Sequence, residues 1–272
     1  DHVLININTA GNYKKSFIAI LNHNMNSADA KVRITNSSTE GHVQAIDFQD
    51  GTPLANPAEV VNADTISSSI VTPAADGNTI VRFDETTLTY FGIQFEGNGS
   101  GTFDGTTDLH VGCILIGEIY EMPHAPDLSV SRSVIYDGVR VQESIGGQRY
   151  GNMSNVGKQV TTTSIAPFAT ALYPYSIHGG RITYDLNFSY LASTDLMPDE
   201  MHSISTTDDA VIEDIWNKTN GSHIPFIFSI DKDSEGTNAE SEHIFARFAN
   251  NSLDMSQVAN DFWNVSMRIE EE

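Results

Sequence analysis

Short apolar runs, each broken by Gly, Asn, Asp or Pro, follow one another along the whole chain, a spacing that predicts antiparallel strands of a sandwich or barrel. Leu4-Ile5-Asn6-Ile7 and Phe17-Ile18-Ala19-Ile20-Leu21 open the series. Lys31-Val32-Arg33-Ile34-Thr35 and Val43-Gln44-Ala45-Ile46-Asp47-Phe48 alternate polar with apolar, so each predicts a strand with one side in a core and the other in water. Thr79-Ile80-Val81-Arg82-Phe83, Leu88-Thr89-Tyr90-Phe91-Gly92-Ile93-Gln94-Phe95 and a long apolar strand from Leu109 to Tyr120 complete the first set.

Pro123 and Pro126 then break the pattern, which predicts a domain boundary near residue 123. Beyond it, Ser133-Val134-Ile135-Tyr136 and Val139-Arg140-Val141 flank Asp137-Gly138, a dipeptide that predicts a tight hairpin. Gly146-Gly147 and Gly151-Asn152 read as loop. Residues 180–191 predict a long strand on which Tyr184, Phe188 and Tyr190 share one face. Three C-terminal runs, at 225–230, 243–248 and 262–269, predict strands of one antiparallel sheet.

One helix is expected, from about Asp208 to Lys218. Ser205 or Thr206 would cap it, its acidic first turn suits the helix dipole, and Asn220-Gly221 supplies the stop. Val211, Ile212, Ile215 and Trp216 form the apolar stripe that would lie on the sheet.

Composition agrees with strands. Hydrophobic residues make up 39% and charged residues only 18% of the 272 positions, so solubility leans on Ser, Thr, Asn and Gly. Charge adds an exclusion. With 36 acidic and 14 basic residues the net charge is −22, and a chain this anionic repels phosphate backbones, so no nucleic-acid partner is expected. No apolar stretch approaches the roughly 18 residues that argue for a spanning helix, so no membrane partner is expected and the chain is expected to be soluble. Cys113 alone makes no internal disulfide, and its place in Val111-Gly112-Cys113-Ile114-Leu115-Ile116 predicts a buried thiol.

The most specific local chemistry is Asp231-Lys232-Asp233-Ser234-Glu235-Gly236, with Glu242 at the twelfth position. Oxygen ligands at alternate positions, Gly at the sixth and Glu at the twelfth are how a loop wraps calcium, so Asp231, Asp233, Glu235 and Glu242 are the candidate metal ligands. Asn238 at the eighth position and flanking strands in place of helices depart from that pattern, and a solvated acidic hairpin loop is the plainer reading. Apart from that calcium loop no cofactor is expected. The nine histidines show no metal spacing, and His23, at the end of an apolar run, reads as a structural strand-end residue. No Gly-x-Ser-x-Gly and no phosphate loop occurs, so no enzyme is expected. Tyr90, Phe91, Tyr173, Tyr175, Tyr184 and Tyr190 supply a rival reading, the sugar-stacking platform of a secreted carbohydrate-binding module.

Three stretches carry a family resemblance. Ile224-Pro225-Phe226-Ile227-Phe228 with Asp231, Phe245-Ala246-Arg247-Phe248, and Phe262-Trp263-Asn264-Val265-Ser266-Met267-Arg268-Ile269-Glu270-Glu271 resemble the end of minor tail proteins of tailed bacteriophages. Phe17-Ile18-Ala19-Ile20-Leu21-Asn22-His23-Asn24 resembles a segment of such proteins within a galactose-binding-like sandwich. Leu115-Ile116-Gly117-Glu118-Ile119-Tyr120 with Pro126-Asp127-Leu128 resembles the joint between their two domains. The resemblance implies a virion structural protein of the tail or tail tip, held in a ring or trimer by further copies and by other tail proteins, with a surface glycan as a further possible partner.

The expected fold is mainly β. An antiparallel β-sandwich of jelly-roll, galactose-binding-like kind spans 1–122, and an antiparallel α+β domain with one helix on its sheet spans 123–272. Acidity gathers at 208–209, at 231–242 and in the last three residues, where a cation or a basic neighbour would dock.

Overall fold

The computed structural model describes residues 2–9, 11, 13–44, 51–67, 69–97, 107–136, 138–153, 180–200, 210–231 and 242–272. The chain divides into two compact units, the first built on Asp1–Glu121 and the second on Met122–Ser203, Asp208–Phe228 and Ile244–Glu272.

The first unit is a sandwich of two antiparallel sheets. One carries β1 (His2–Asn8), β9 (Tyr90–Gly97), β3 (Ala30–Ser37), β7 (Ile70–Pro73) and β6 (Ala63–Ser67) in that order, with β4 (Thr52–Pro53) also on β3. The other carries β10 (Val111–Gly117), β2 (Lys15–His23), β8 (Gly77–Thr86) and β5 (Ala58–Val61). The main strands alternate between the sheets along the chain, the winding of a jelly roll. Alternation within each strand makes the core. Ile18 and Ile20 from β2 and Val81 and Phe83 from β8 meet Val32 and Ile34 from β3 and Phe91, Ile93 and Phe95 from β9. The Phe83 and Phe91 rings join the layers at 6.3 Å. Each such side chain, removed from water, contributes roughly 1.5–3 kcal/mol.

Two expectations fail in this unit. Val43 closes a 3-10 turn, Glu40–Val43, where a strand over 43–48 was expected, and 45–50 lie outside the described residues. The Ser37 hydroxyl accepts the Thr39 N–H at 3.0 Å and sits 3.2 Å from His42 Nδ1, which turns the chain out of the ladder. Cys113 is exposed, not buried. β10 is an edge strand from which Val111, Ile114 and Ile116 pack against the core while Gly112 and Cys113 face solvent.

The second unit is one antiparallel sheet with a separate two-stranded ribbon. Its sheet order is β11 (Ser131–Ile135), β14 (Arg181–Ala192), β18 (Phe262–Glu271), β16 (Ile244–Phe248) and β15 (Phe226–Phe228), with β17 (Asp254–Ala259) also on β18. Tyr184, Leu186 and Phe188 on β14, Val265, Met267 and Ile269 on β18, and Ile244, Ala246 and Phe248 on β16 are buried. The prolines lead into this unit: Asp127 donates its N–H to Asn187 O at 2.8 Å and accepts the Ser189 hydroxyl at 2.6 Å.

Four expectations fail in this unit, the first being that Gly151-Asn152 is loop, since both lie in a strand, Arg149–Met153. Asp137-Gly138 does not join a hairpin, because β11 pairs with β14 while β12 (Val139–Glu143) pairs with β13 (Arg149–Met153). The turn that closes that ribbon is residues 144–148, where Gly147, at φ 80°, donates its N–H to Ser144 O. Tyr190 leaves the face it was expected to share with Tyr184 and Phe188. At φ 60° it forms a bulge, with Ser189 and Tyr190 opposite the single residue Asn264 on β18, so Tyr190 is exposed and Leu191 buried. The helix is a π-helix, Val211–Asn217, preceded by an extended Ala210. The proposed caps, Ser205 and Thr206, lie outside the described residues. The wider π turn shifts the buried side from the expected stripe: Val211 is buried with Glu213 and Asp214, while Ile212, Ile215 and Trp216 are half-buried. Trp216 still packs on the sheet, its ring 4.7 Å from Phe248. Asn220 and Gly221, both at positive φ, end the helical segment.

Candidate functional site

His23 is the first candidate for chemistry. β2 would direct it outward, since Ile18 and Ile20 point inward, but Asn22 at φ 52° inserts a bulge against β8 and turns the imidazole in. Its Nδ1 accepts the Met25 N–H at 3.2 Å, so Nε2 carries the proton and donates to Thr79 Oγ1 at 2.8 Å. Burial pushes its pKa down to about 4, against a smaller opposite pull from Asp76. With both nitrogens engaged by the framework, His23 braces a strand end. Asp76, whose carboxylate accepts the Ser27 hydroxyl and N–H, is held below the usual range although burial alone would raise it.

Lys15 is similarly absorbed. Its ammonium donates to Leu88 O at 3.0 Å and Gly11 O at 3.3 Å, and burial lowers its pKa. On the outer side of the β1-β9-β3 layer, Glu96 lies 3.2 Å from Arg33 and 3.6 Å from Lys31, and Gln94 donates to it at 3.2 Å. These contacts stitch adjacent strands together across the sheet.

The acidic loop joins β15 to β16, an antiparallel pair. Asp231 and Glu242 stand at its ends, while Asp233 and Glu235 lie outside the described residues. Among the described residues no group of three or more His, Cys, Asp or Glu gathers as a metal site. The terminal acidic cluster is neutralised within the sheet: Glu270 pairs with Arg181 at 3.5 Å and Arg268 at 3.7 Å, Glu271 accepts the Ile182 N–H at 2.9 Å, and Glu272 pairs with Arg247. The aromatic residues do not form one platform. Phe91 and Tyr184 are buried in the cores of different units, Tyr190 is exposed on its bulge, and Tyr173 and Tyr175 lie outside the described residues.

Among the described residues, the β12–β13 ribbon is the element with the most exposed apolar side chains at its strands and turn. Every side chain described on it is exposed, including Val139, Val141 (62%), Ile145 at the turn (110%) and Tyr150 (59%). Its pairing puts Val139, Val141 and Gly151 on one side, with the Glu143–Arg149 pair at 3.2 Å nearer the turn, and Arg140, Gln142, Tyr150 and Asn152 on the other. A side chain at Gly151 would meet nothing within 4 Å, so the valine side is open. Two-stranded ribbons of this kind are marginal alone in water, and uncovered apolar surface of this kind marks interaction sites. The sequence carried a partial signal in the alternation of Val139-Arg140-Val141 and in Gly146-Gly147. It did not show that the ribbon's described side chains would be exposed on both sides.

Among the described residues no helix is long and apolar enough to cross a membrane. No family model matches the chain, and neither the curated proteins nor the solved structures include a match to it.

Proposed function

We propose that this protein is a non-enzymatic structural subunit of the tail or tail tip of a tailed bacteriophage, working in an oligomeric ring or trimer with other tail proteins. The observation that carries the assembly reading is the β12–β13 ribbon, a two-stranded element whose described apolar side chains are exposed. It suits a surface completed by a neighbour. The engagement of His23, Lys15 and Glu96 in framework contacts supports a scaffold more than a reaction centre. The phage assignment itself rests on the resemblance of the C-terminal strands and the joint.

The test is antibody labelling of intact particles in electron micrographs, with the purified chain imaged in parallel. Labelled tails or tips, and rings or trimers of the pure protein, are the expected result. Particles without label, together with selective binding on a glycan array, would replace this reading with the carbohydrate-binding one.

A further inference from the structure

The ribbon combines exposed apolar side chains with a charge opposite in sign to that of the whole chain. Its stretch 139–153 holds two arginines and one glutamate, in a chain whose net charge is −22. Glu143 and Arg149 face each other at 3.2 Å, and Arg140 projects from the side opposite Val139 and Val141. An apolar, slightly basic arm on an acidic body is complementary to that same body. We propose that the β12–β13 ribbon is an arm that seats on the acidic surface of a second copy of this chain. The proposal rests on the assembly reading and names its partner.

The arm brings Val139, Val141 and Ile145 as apolar anchors, with Tyr150 on its second side, and docking removes them from water. Gly151 leaves room for a partner side chain against Val141. Arg140 supplies attraction over distance and sets which surface the arm approaches. Arm on body is a heterologous contact, which closes into a ring when the rotation between copies permits.

Sedimentation equilibrium of the full chain tests it. The parent should associate with a Kd of about 10 µM or tighter at about 0.15 M salt, where repulsion between two acidic copies is screened beyond about 8 Å. Val141→Asp and Ile145→Asp should each weaken association at least about tenfold, and Arg140→Glu should weaken it at about 0.15 M salt but not at about 1 M salt. All three positions are exposed, so thermal melting should match the parent, and Arg140→Glu, which alters no apolar contact, remains readable if an aspartate variant melts early. A parent that stays monomeric at about 100 µM, or arm variants that associate as the parent does, would overturn the proposal. The two readings fail separately. Association untouched by the arm variants removes the arm and leaves the assembly reading, whereas particles without label remove the phage reading whatever the chain does alone.

Discussion

A single residue in a left-handed conformation decides the fate of His23. Because Asn22 bulges β2, the imidazole is buried and neutral, and protonating it requires breaking its contact with the Met25 N–H. Its pKa in the folded chain lies below the ordinary 6.5, so between those values the unfolded chain binds the proton more readily. The stabilisation is complete above about pH 6.5 and drains away as pH falls towards 4, amounting to at most about 3 kcal/mol. Denaturant midpoints measured at pH 7 and 4.5 should separate in the parent and draw together in His23→Gln. An unchanged separation would assign the acid sensitivity to other groups, among them Asp76, whose lowered pKa acts at still lower pH. His23 was legible as a strand-end residue bonded to nearby backbone, but its burial was not, because a bulge is a backbone event that side-chain alternation does not encode.

The same device governs β14. Tyr190 and Leu191 exchange the sides that strict alternation would give them, and two substitutions separate the bulge from an ordinary strand. Leu191→Ala should cost about 2–5 kcal/mol, as for a fully buried leucine. Tyr190→Gly, at an exposed position with φ 60°, should leave stability unchanged or raise it by up to about 1 kcal/mol, since glycine takes that conformation without a Cβ clash. Urea unfolding of both variants is the measurement, and a large loss at Tyr190 would mean that its ring has a packing role. Strands with clear alternation, such as β3 and β9, were legible because their apolar positions recur every second residue, although β9 proves to be buried on both sides, with Gln94 and Glu96 covered as well as Phe91, Ile93 and Phe95. The short strands β4 to β7 were not, being broken by Pro, Asn and Asp, and β17 was missed because its side chains are exposed throughout. The helical segment was found while its type was not, since a 3.6-residue period was assumed for a turn that closes five residues back, as in the Lys218 N–H to Glu213 O bond at 3.2 Å.

For the whole molecule the charge of −22 is the dominant long-range term. Ion pairs such as Lys14 with Glu118 and Arg33 with Glu96 are local, and repulsion among the remaining carboxylates opposes compactness. Raising salt from about 20 mM to about 500 mM shortens the Debye length from roughly 20 Å to roughly 4 Å, so the melting temperature of dilute protein should rise by a few degrees. A fall would mean that the ion pairs outweigh the repulsion. Mainly-β architecture was legible at this scale from composition and turn spacing. The candidate surface was not, because exposure of the ribbon depends on what fails to pack against it, and no local pattern records that. One further consequence belongs to the edge strand β10. Its exposed Cys113 is the only thiol in the chain, so a maleimide dye attaches at one known place per copy, and counting bleaching steps would count the copies in any complex the chain forms.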